Sequence, residues 1–220
     1  MTLPQQPLVS IDTVPFLFRD GVLSVVLADR LYEPFRGRAA LPGVLLSANE
    51  LLAEAAVRAL ATKAGIDRDA IRSITGAGVF DNPDRDPRGP TLSIVHAVVL
   101  DPGTAGAEKG THLVRAADAT GLPFDHDAII ARTAAAVLDA LWIDAALTRA
   151  LLGDRFTTAS AARLARELAA AAGRPEPVTS NLGRDLAKSP LLAKTEAAAA
   201  PAGRGRPAAG WSWKETAGSN

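Results

Sequence analysis

A helical stretch at residues 41–66, LPGVLLSANELLAEAAVRALATKAGI, carries the side chains best suited to chemistry. Glu50 and Glu54 precede Arg58 and Lys63, and apolar residues recur between them at helical spacing. Clustered carboxylates on such a helix hold hard divalent cations, which need several oxygen ligands and then help water to attack a diphosphate. Two carboxylates at the N-terminal side are a poor ligand set. The stretch therefore has the pattern of a metal-binding helix but lacks most of the ligands.

This stretch resembles the Nudix signature, which reads Gly, five residues, Glu, seven residues, then Arg-Glu-apolar-x-Glu-Glu-x-Gly-apolar. Aligned on LPG, its structural positions are kept at Glu50, Arg58, Leu60, Gly65 and Ile66, whereas its first Gly falls on Val44. Its metal-binding glutamates after the Arg fall on Ala59, Thr62 and Lys63. A lysine at such a position repels a divalent cation. The resemblance therefore implies a Nudix domain without a metal site, catalytic residues or efficient hydrolysis.

Two later segments are similar to the ADP-ribose branch of the Nudix family: residues 80–100, FDNPDRDPRGPTLSIVHAVVL, and residues 124–127, FDHD. The resemblance implies an effector such as ADP-ribose, with NAD or ATP as alternatives, and no cofactor. Arginines bind phosphates bidentately, which makes the loop arginines candidate contacts. The predicted effector-binding residues are Arg36, Arg38, Glu50, Arg58, Arg85, Arg88 and His126. The alternatives are ion pairs of the loop arginines with Asp81, Asp84 and Asp86, a structural role for Arg58, and helix-entry packing for His126.

The C-terminal residues resemble a smaller group, the Nudix-related transcriptional regulators of NAD metabolism, which carry a winged helix-turn-helix behind the Nudix domain. Residues 156–173 match its first helix, residues 178–195 its recognition helix and following strand, and GRGRPAAGWSWK at 203–214 its wing. Polar side chains on a recognition helix read bases and phosphates, and wing arginines enter a groove or clamp a phosphate. The predicted DNA-binding residues are Ser180, Asn181, Arg184, Lys188, Arg204 and Arg206. A solvated helix face and loop are the alternative. Trp211 and Trp213 are expected to pack the wing onto its domain.

Elements that position these residues follow from periodicity and turn signals. Residues 8–18 and 22–29 predict a β-hairpin around RDG, and residues 71–80, 91–100 and 112–116 predict further strands. Helices are predicted at 49–64, capped by Asn49 and stopped by Gly65, and at 127–141, 156–172 and 179–188. Strands are predicted at 191–195 and 211–214. This pattern predicts an α+β fold. The resemblance implies a Nudix-like α/β/α sandwich with a mixed sheet over residues 1–147, then a winged helix-turn-helix over residues 148–220.

Charge is distributed unevenly along the 220-residue chain. Residues 1–147 hold 13 Lys and Arg against 18 Asp and Glu, and residues 148–220 hold 11 against 6. A basic tail favours a polyanionic partner such as double-stranded DNA. Cysteine is absent, which is compatible with a cytoplasmic location, and neither a signal peptide nor a membrane span is predicted.

Together these features predict a DNA-binding regulator, by resemblance a repressor, that senses a nucleotide related to NAD. A homodimer is expected because two-fold operators need two recognition helices. One alternative is a divergent Nudix hydrolase of ADP-ribose-like nucleoside diphosphate derivatives that takes its metal ligands from Glu50, Glu54 or the Asp-rich loop. Another is a nucleotide-binding partner protein whose basic tail binds no DNA.

Overall fold

A β-hairpin opens the main sheet of the computed structural model, which describes residues 6–104, 110–195 and 210–214. Strand β1, Leu8–Arg19, pairs antiparallel with β2, Val22–Asp29. Asp20 and Gly21 connect them with φ angles of 53° and 77°, and positive φ at both positions is the backbone of a type I′ turn. The predicted hairpin and its RDG turn are confirmed.

Five further strands complete a seven-stranded mixed sheet. They are β3, Ala39–Ala40; β4, Gly43–Leu45; β5, Ile71–Phe80; β6, Thr91–Leu100; and β7, Thr111–Arg115. The order is β3-β2-β1-β6-β5, with β4 paired to β1 and β7 to β2. The pairing of β1 with β6 is parallel, and the others are antiparallel.

Helices cover both faces of this sheet. Alternate side chains of a strand point to opposite faces, so Phe16 packs on one side with α2, His126–Ala140, while Leu17 packs on the other with α1, Leu52–Ala64. Helices α3, Ala145–Leu152, and α4, Thr158–Ala171, join α2 on its face. The three layers confirm the predicted α/β/α sandwich and the α+β class.

Helix α1 begins later than expected and ends where expected. Asn49 was predicted as its N-cap, but it adopts a φ of 61°, and Leu51 is the residue before the helix. The Leu51 N–H donates to the Glu54 carboxylate at 3.0 Å, so an acidic side chain caps this end. Gly65 takes the left-handed conformation at φ 62° and stops the helix, as predicted.

Helices α4 and α5, Leu182–Lys188, pack with a second sheet of three strands. It contains β8, Arg155–Thr157; β9, Leu192–Thr195; and β10, Gly210–Trp213, in the order β8-β10-β9 with antiparallel pairing. Thr157 caps α4 by accepting the Ser160 N–H at 3.0 Å. The predicted start of α4 at residue 156 is wrong because Phe156 belongs to β8.

The two tryptophans of β10 hold the small sheet against its helices. Trp211 donates its indole N–H to Thr158 Oγ1 at 2.8 Å, and Trp213 donates to the Gly153 carbonyl at 3.0 Å. Both rings belong to one apolar cluster with Phe156 and Leu186. Their predicted packing role is confirmed.

Helix α4 belongs to both cores. Its Ala161 lies in the small cluster, whereas Leu164 and Leu168 pack with the main sheet. Helix α3, which the sequence pattern did not predict, also packs there through Leu147 and Leu151. The division between residues 147 and 148 remains a prediction. Among the described residues, no helix combines the length and apolarity needed to cross a membrane.

Candidate functional site

A cavity of about 390 Å³ opens beside the C-terminal end of α1. Its walls come from β1, β2 and β4, the loop between β5 and β6, and the start of α2. The charged and imidazole side chains that line it are Asp12, Asp29, Asp86, Arg30, Arg58, Lys63, Arg85, Arg88 and His126. Of the predicted effector-binding residues, Arg58, Arg85, Arg88 and His126 line this cavity, whereas Arg36, Arg38 and Glu50 do not.

Arg85 forms a buried brace between two carboxylates. Its guanidinium lies 2.7 Å from Asp125 Oδ1 and 3.3 Å from Asp12 Oδ2, and the side chain is only 3% exposed. Burial lowers the pKa of Arg85, but the bonds from Asp125 and the charge of Asp12 outweigh it, so the pKa is raised. Paired charges of this kind are costly to break because the partner left behind has lost its water. Arg85 therefore joins β1 to the start of α2, and its ligand role remains a prediction.

Asp12 is held by hydroxyls as well as by Arg85. Ser93 donates to its Oδ2 at 2.5 Å, and Ser10 donates to the same oxygen at 3.2 Å. Its other oxygen faces Gly43, where an added Cβ would lie 2.0 Å from Oδ1. The glycine of LPG is therefore required by the Asp12 carboxylate. Sequence analysis missed Asp12, although a lone charge in the apolar run LVSIDTVPFLF was a usable signal.

His126 presents one ring nitrogen to the cavity. Its Nδ1 accepts the Leu41 N–H at 3.0 Å, so in the neutral ring the proton is on Nε2. Burial lowers the pKa of His126 and favours this neutral form. Among the described residues, the hydrogen bond that His126 forms is the one at Nδ1. His126 therefore fixes the loop at Leu41, and its role in ligand binding remains a prediction.

Glu50 and Arg58 tie helix α1 to the preceding loop. Arg58 donates from Nε and Nη2 to the Glu50 carboxylate, each at 2.7 Å, and also to the Leu45 carbonyl at 2.9 Å. The bonds from Arg58, then the Ser47 N–H, lower the pKa of Glu50 to about 2. The structural role expected of Arg58 is confirmed.

The residues that the sequence alignment places at metal-ligand positions offer a divalent cation no carboxylate. Ala59 is buried and has no oxygen to offer, and Thr62 donates its hydroxyl to the Arg58 carbonyl at 2.7 Å. Both Glu50 oxygens already accept bonds from Arg58, and Lys63 brings a positive charge. In residues 6–104, 110–195 and 210–214, no three His, Cys, Asp or Glu side chains are grouped to hold a metal ion. This donor set is unlike the oxygen cages that bind Mg²⁺.

The remaining predicted phosphate contacts differ in their surroundings. Arg88 forms a bidentate pair with Asp86 at 3.0 and 2.7 Å, which matches the ion-pair alternative. Arg38 donates to the Gly121 carbonyl and lies over the Phe35 ring. Arg36 is exposed outside the cavity. Arg30, which the sequence analysis did not single out, enters the cavity from the end of β2.

The predicted DNA-binding residues that the structure describes lie together around α5. Ser180, Asn181, Arg184 and Lys188 are all exposed, while Leu186 is buried against α4 and β10. The helix therefore presents a polar face outward. Arg204 and Arg206 lie outside the described residues, so their wing role stays a prediction.

The fold and the cavity together define a Nudix-type domain, followed by a helix and small-sheet unit. The chain is 33% identical over 123 residues to an ADP-ribose pyrophosphatase of Methanocaldococcus jannaschii, covering 53% of this chain and 71% of that protein. The chain therefore belongs to the Nudix family. No known family model matches it.

Solved structures extend the likeness beyond the Nudix domain. NrtR of Shewanella oneidensis, crystallised with a 27mer DNA, matches with a TM-score of 0.69 at 22% identity, covering 94% of this chain and 93% of that one. The NUDIX domain of NrtR with ADP ribose matches with a TM-score of 0.52 at 25% identity, covering 60% of this chain and 90% of that one. The two-part fold is thus shared over nearly the whole chain.

Proposed function

We propose that this protein is a DNA-binding transcription regulator whose Nudix domain senses a nucleotide without efficiently hydrolysing it. One observation carries the proposal: a cavity rich in cations, beside a helix without metal ligands, occurs in the same chain as a small unit that exposes a polar helix. The likeness to NrtR supports both halves, because that protein was crystallised with DNA and its NUDIX domain with ADP ribose.

The proposed effector is ADP-ribose, with NAD and ATP as alternatives. Arg88, Arg58 and the His126 Nε2–H are the proposed polar contacts among the predicted residues, because they line the cavity. A diphosphate suits such a site, since arginine and backbone donors bind phosphate oxygens with charge-assisted bonds.

The proposed DNA-binding unit covers residues 148–220, behind an effector domain of residues 1–147. Its α5 would enter the major groove with Asn181 and Arg184, and Lys188 would contact phosphates. The proposed assembly is a homodimer, which would present two such helices to a two-fold operator. Repression is proposed rather than activation.

A gel shift with the DNA upstream of the protein's own gene tests this function. We expect binding that weakens steeply with salt, because phosphate contacts release counterions. Adding ADP-ribose should change the affinity by roughly 5- to 150-fold, the usual range of allosteric coupling. The double variant R184A/K188A should bind less tightly and show a shallower salt slope. Failure to bind any upstream fragment at low salt would remove the proposal.

A divergent hydrolase is the second candidate. It is favoured by the identity to the archaeal ADP-ribose pyrophosphatase, which is higher than the identity to NrtR. Opposing it, the side chains at positions 59, 62 and 63 provide no carboxylate. The survival of ADP-ribose in the presence of Mg²⁺ distinguishes the two candidates.

A further inference from the structure

Two cations that line the cavity form no direct ion pair with the described residues. Three other basic lining residues are engaged by carboxylates: Arg58 by Glu50, Arg88 by Asp86, and Arg85 by two partners. Lys63 and Arg30 line the same cavity, and neither forms an ion pair with a carboxylate in the described ranges 6–104, 110–195 and 210–214. Unpaired cations in a concave site attract an anion.

Lys63 stands where the family places a metal-ligating glutamate. It lies in the last turn of α1, one turn after Ala59 and next to Thr62. Ala59 is buried, and the Thr62 hydroxyl is turned back to the Arg58 carbonyl. Neither neighbour carries a charge, so the local charge here is set by the ammonium of Lys63.

The Arg30 side chain is held by contacts within the protein itself. Its Nε donates to the Pro34 carbonyl at 2.6 Å, and its guanidinium carbon lies 4.7 Å from the centre of the Phe124 ring. Burial, then the charge of Arg88, lower the pKa of Arg30, while the more weakly acting carboxylates of Asp86, Asp12 and Glu33 oppose this shift. An anion brought between these arginines would relieve that repulsion.

We infer that Lys63 takes the place of the divalent cation and, together with Arg30, binds the diphosphate of a nucleoside diphosphate ligand directly. In a metal-dependent relative, a doubly charged ion neutralises the diphosphate and polarises it for attack by water. Two singly charged side chains supply the same total charge, but they hold no water molecule as a metal does. The substitution therefore keeps ligand affinity and removes hydrolysis. The identity of the ligand rests on the proposed function.

A simpler role for Lys63 is to stabilise the C-terminal end of α1. A cation in the last turn of a helix is favourable by a fraction of a kcal/mol through the helix dipole. That role predicts a small change in thermal stability and no change in ligand affinity. It also predicts that replacing Lys63 by a neutral or by an acidic residue leaves the ligand affinity equally unchanged.

Isothermal titration of the full-length protein separates these roles. The probe is ADP-ribose, titrated in EDTA and again in Mg²⁺, against the wild type and K63A, K63E and K63R. Lys194 is the matched control, because it is an exposed lysine in β9 outside the cavity. In EDTA we expect K63A to bind about tenfold more weakly and K63E about a hundredfold, since charge-assisted contacts contribute most to phosphate binding. K63R and K194A should bind like the wild type, and Mg²⁺ should not strengthen wild-type binding.

Other outcomes overturn the inference. It is wrong if K63A and K63E bind ADP-ribose in EDTA as tightly as the wild type, or if wild-type binding requires Mg²⁺. If the wild type binds no ADP-ribose, the proposed effector is wrong, and thermal shift with inorganic pyrophosphate then tests Lys63 alone. Stabilisation of the wild type and not of K63E supports the inference in that case, and equal responses overturn it.

Discussion

Arg115 in β7 donates two hydrogen bonds to the Glu167 carboxylate in α4, from Nε and Nη2, each at 2.9 Å. Glu167 also accepts the N–H of Leu23, at the start of β2, and its side chain is 7% exposed. The opposite end of β2 carries Asp29 and Arg30 into the cavity. Glu167 of α4 is thus hydrogen-bonded to one end of β2, and the cavity residues lie at the other end of that strand.

Removing this carboxylate should destabilise the fold. We expect E167A to lower the free energy of unfolding by about 1–3 kcal/mol, because the buried Leu23 N–H loses its acceptor. Urea denaturation measures the change. D118A is the control: Asp118 reaches the same arginine at 3.8 Å but is exposed, so it should cost below about 1 kcal/mol.

The contribution of Glu167 should depend on pH in a defined direction. The bonds from Arg115 lower the pKa of Glu167 below its ordinary value, which is about 4.3 in an unfolded chain. Its stabilisation is therefore present above about pH 4.3 and is lost as the pH falls through the lower folded pKa. The stability difference between wild type and E167Q should shrink on acidification. A difference that grows toward low pH would contradict this assignment.

The same contact should carry the signal between ligand and DNA. E167Q is expected to bind ADP-ribose normally, because Glu167 does not line the cavity, yet to show a weaker effect of ADP-ribose on DNA affinity. Gel shifts with and without ADP-ribose measure the effect. An unchanged effect in a folded E167Q protein would show that coupling follows another route.

The backbone at LPG should be intolerant of a side chain. G43A would place a methyl group 2.0 Å from Asp12 Oδ1, so the buried carboxylate must move away from Arg85 and Ser93. Overpacking of this kind costs about 1–3 kcal/mol, measurable as a lower midpoint of thermal unfolding. G76A is the matched control, because nothing lies within 4 Å of a Cβ built at Gly76. Equal tolerance of both variants would contradict the described approach of Asp12.

The Glu50 carboxyl should report on the loop before α1. In the wild type its pKa is about 2, and in R58M it should rise toward the ordinary glutamate value, because the two guanidinium bonds are gone. Carboxyl chemical shifts followed through a pH titration measure this. The pKa of Asp139, lowered by Arg174, serves as an internal control and should not change. A Glu50 pKa that stays near 2 in R58M would contradict the assigned contact.

Sequence predicted local features better than distant pairings. The hairpin turn at Asp20 and Gly21 and the helix stop at Gly65 follow from short-range chemistry, and both were predicted. Helix α3 was missed because its eight residues follow closely on α2 without a distinct turn signal. The start of α1 was misplaced because Asn49, a common cap residue, here takes a positive φ instead.

In the cavity, too, residues identified from a local motif were predicted, and contacts between distant residues were not. The alignment of the helix stretch identified Arg58 and Lys63, which do line the cavity. Arg85 was expected to bind the effector or to pair with aspartates of its own loop, but it turns inward to Asp12 and Asp125, which lie 73 and 40 positions away in the chain. No periodicity encodes a contact across such distances. Sequence analysis therefore found the cationic character of the site but not its buried brace.

The fate of ADP-ribose in the presence of this protein tests the central claim most directly. Phosphorus NMR of ADP-ribose incubated with the full-length protein and Mg²⁺ follows the diphosphate signals over time. A sensor whose metal ligands are replaced should bind ADP-ribose and leave those signals intact for hours. Conversion to AMP and ribose 5-phosphate at an ordinary enzymatic rate, on the order of 1–1000 per second, would contradict the account.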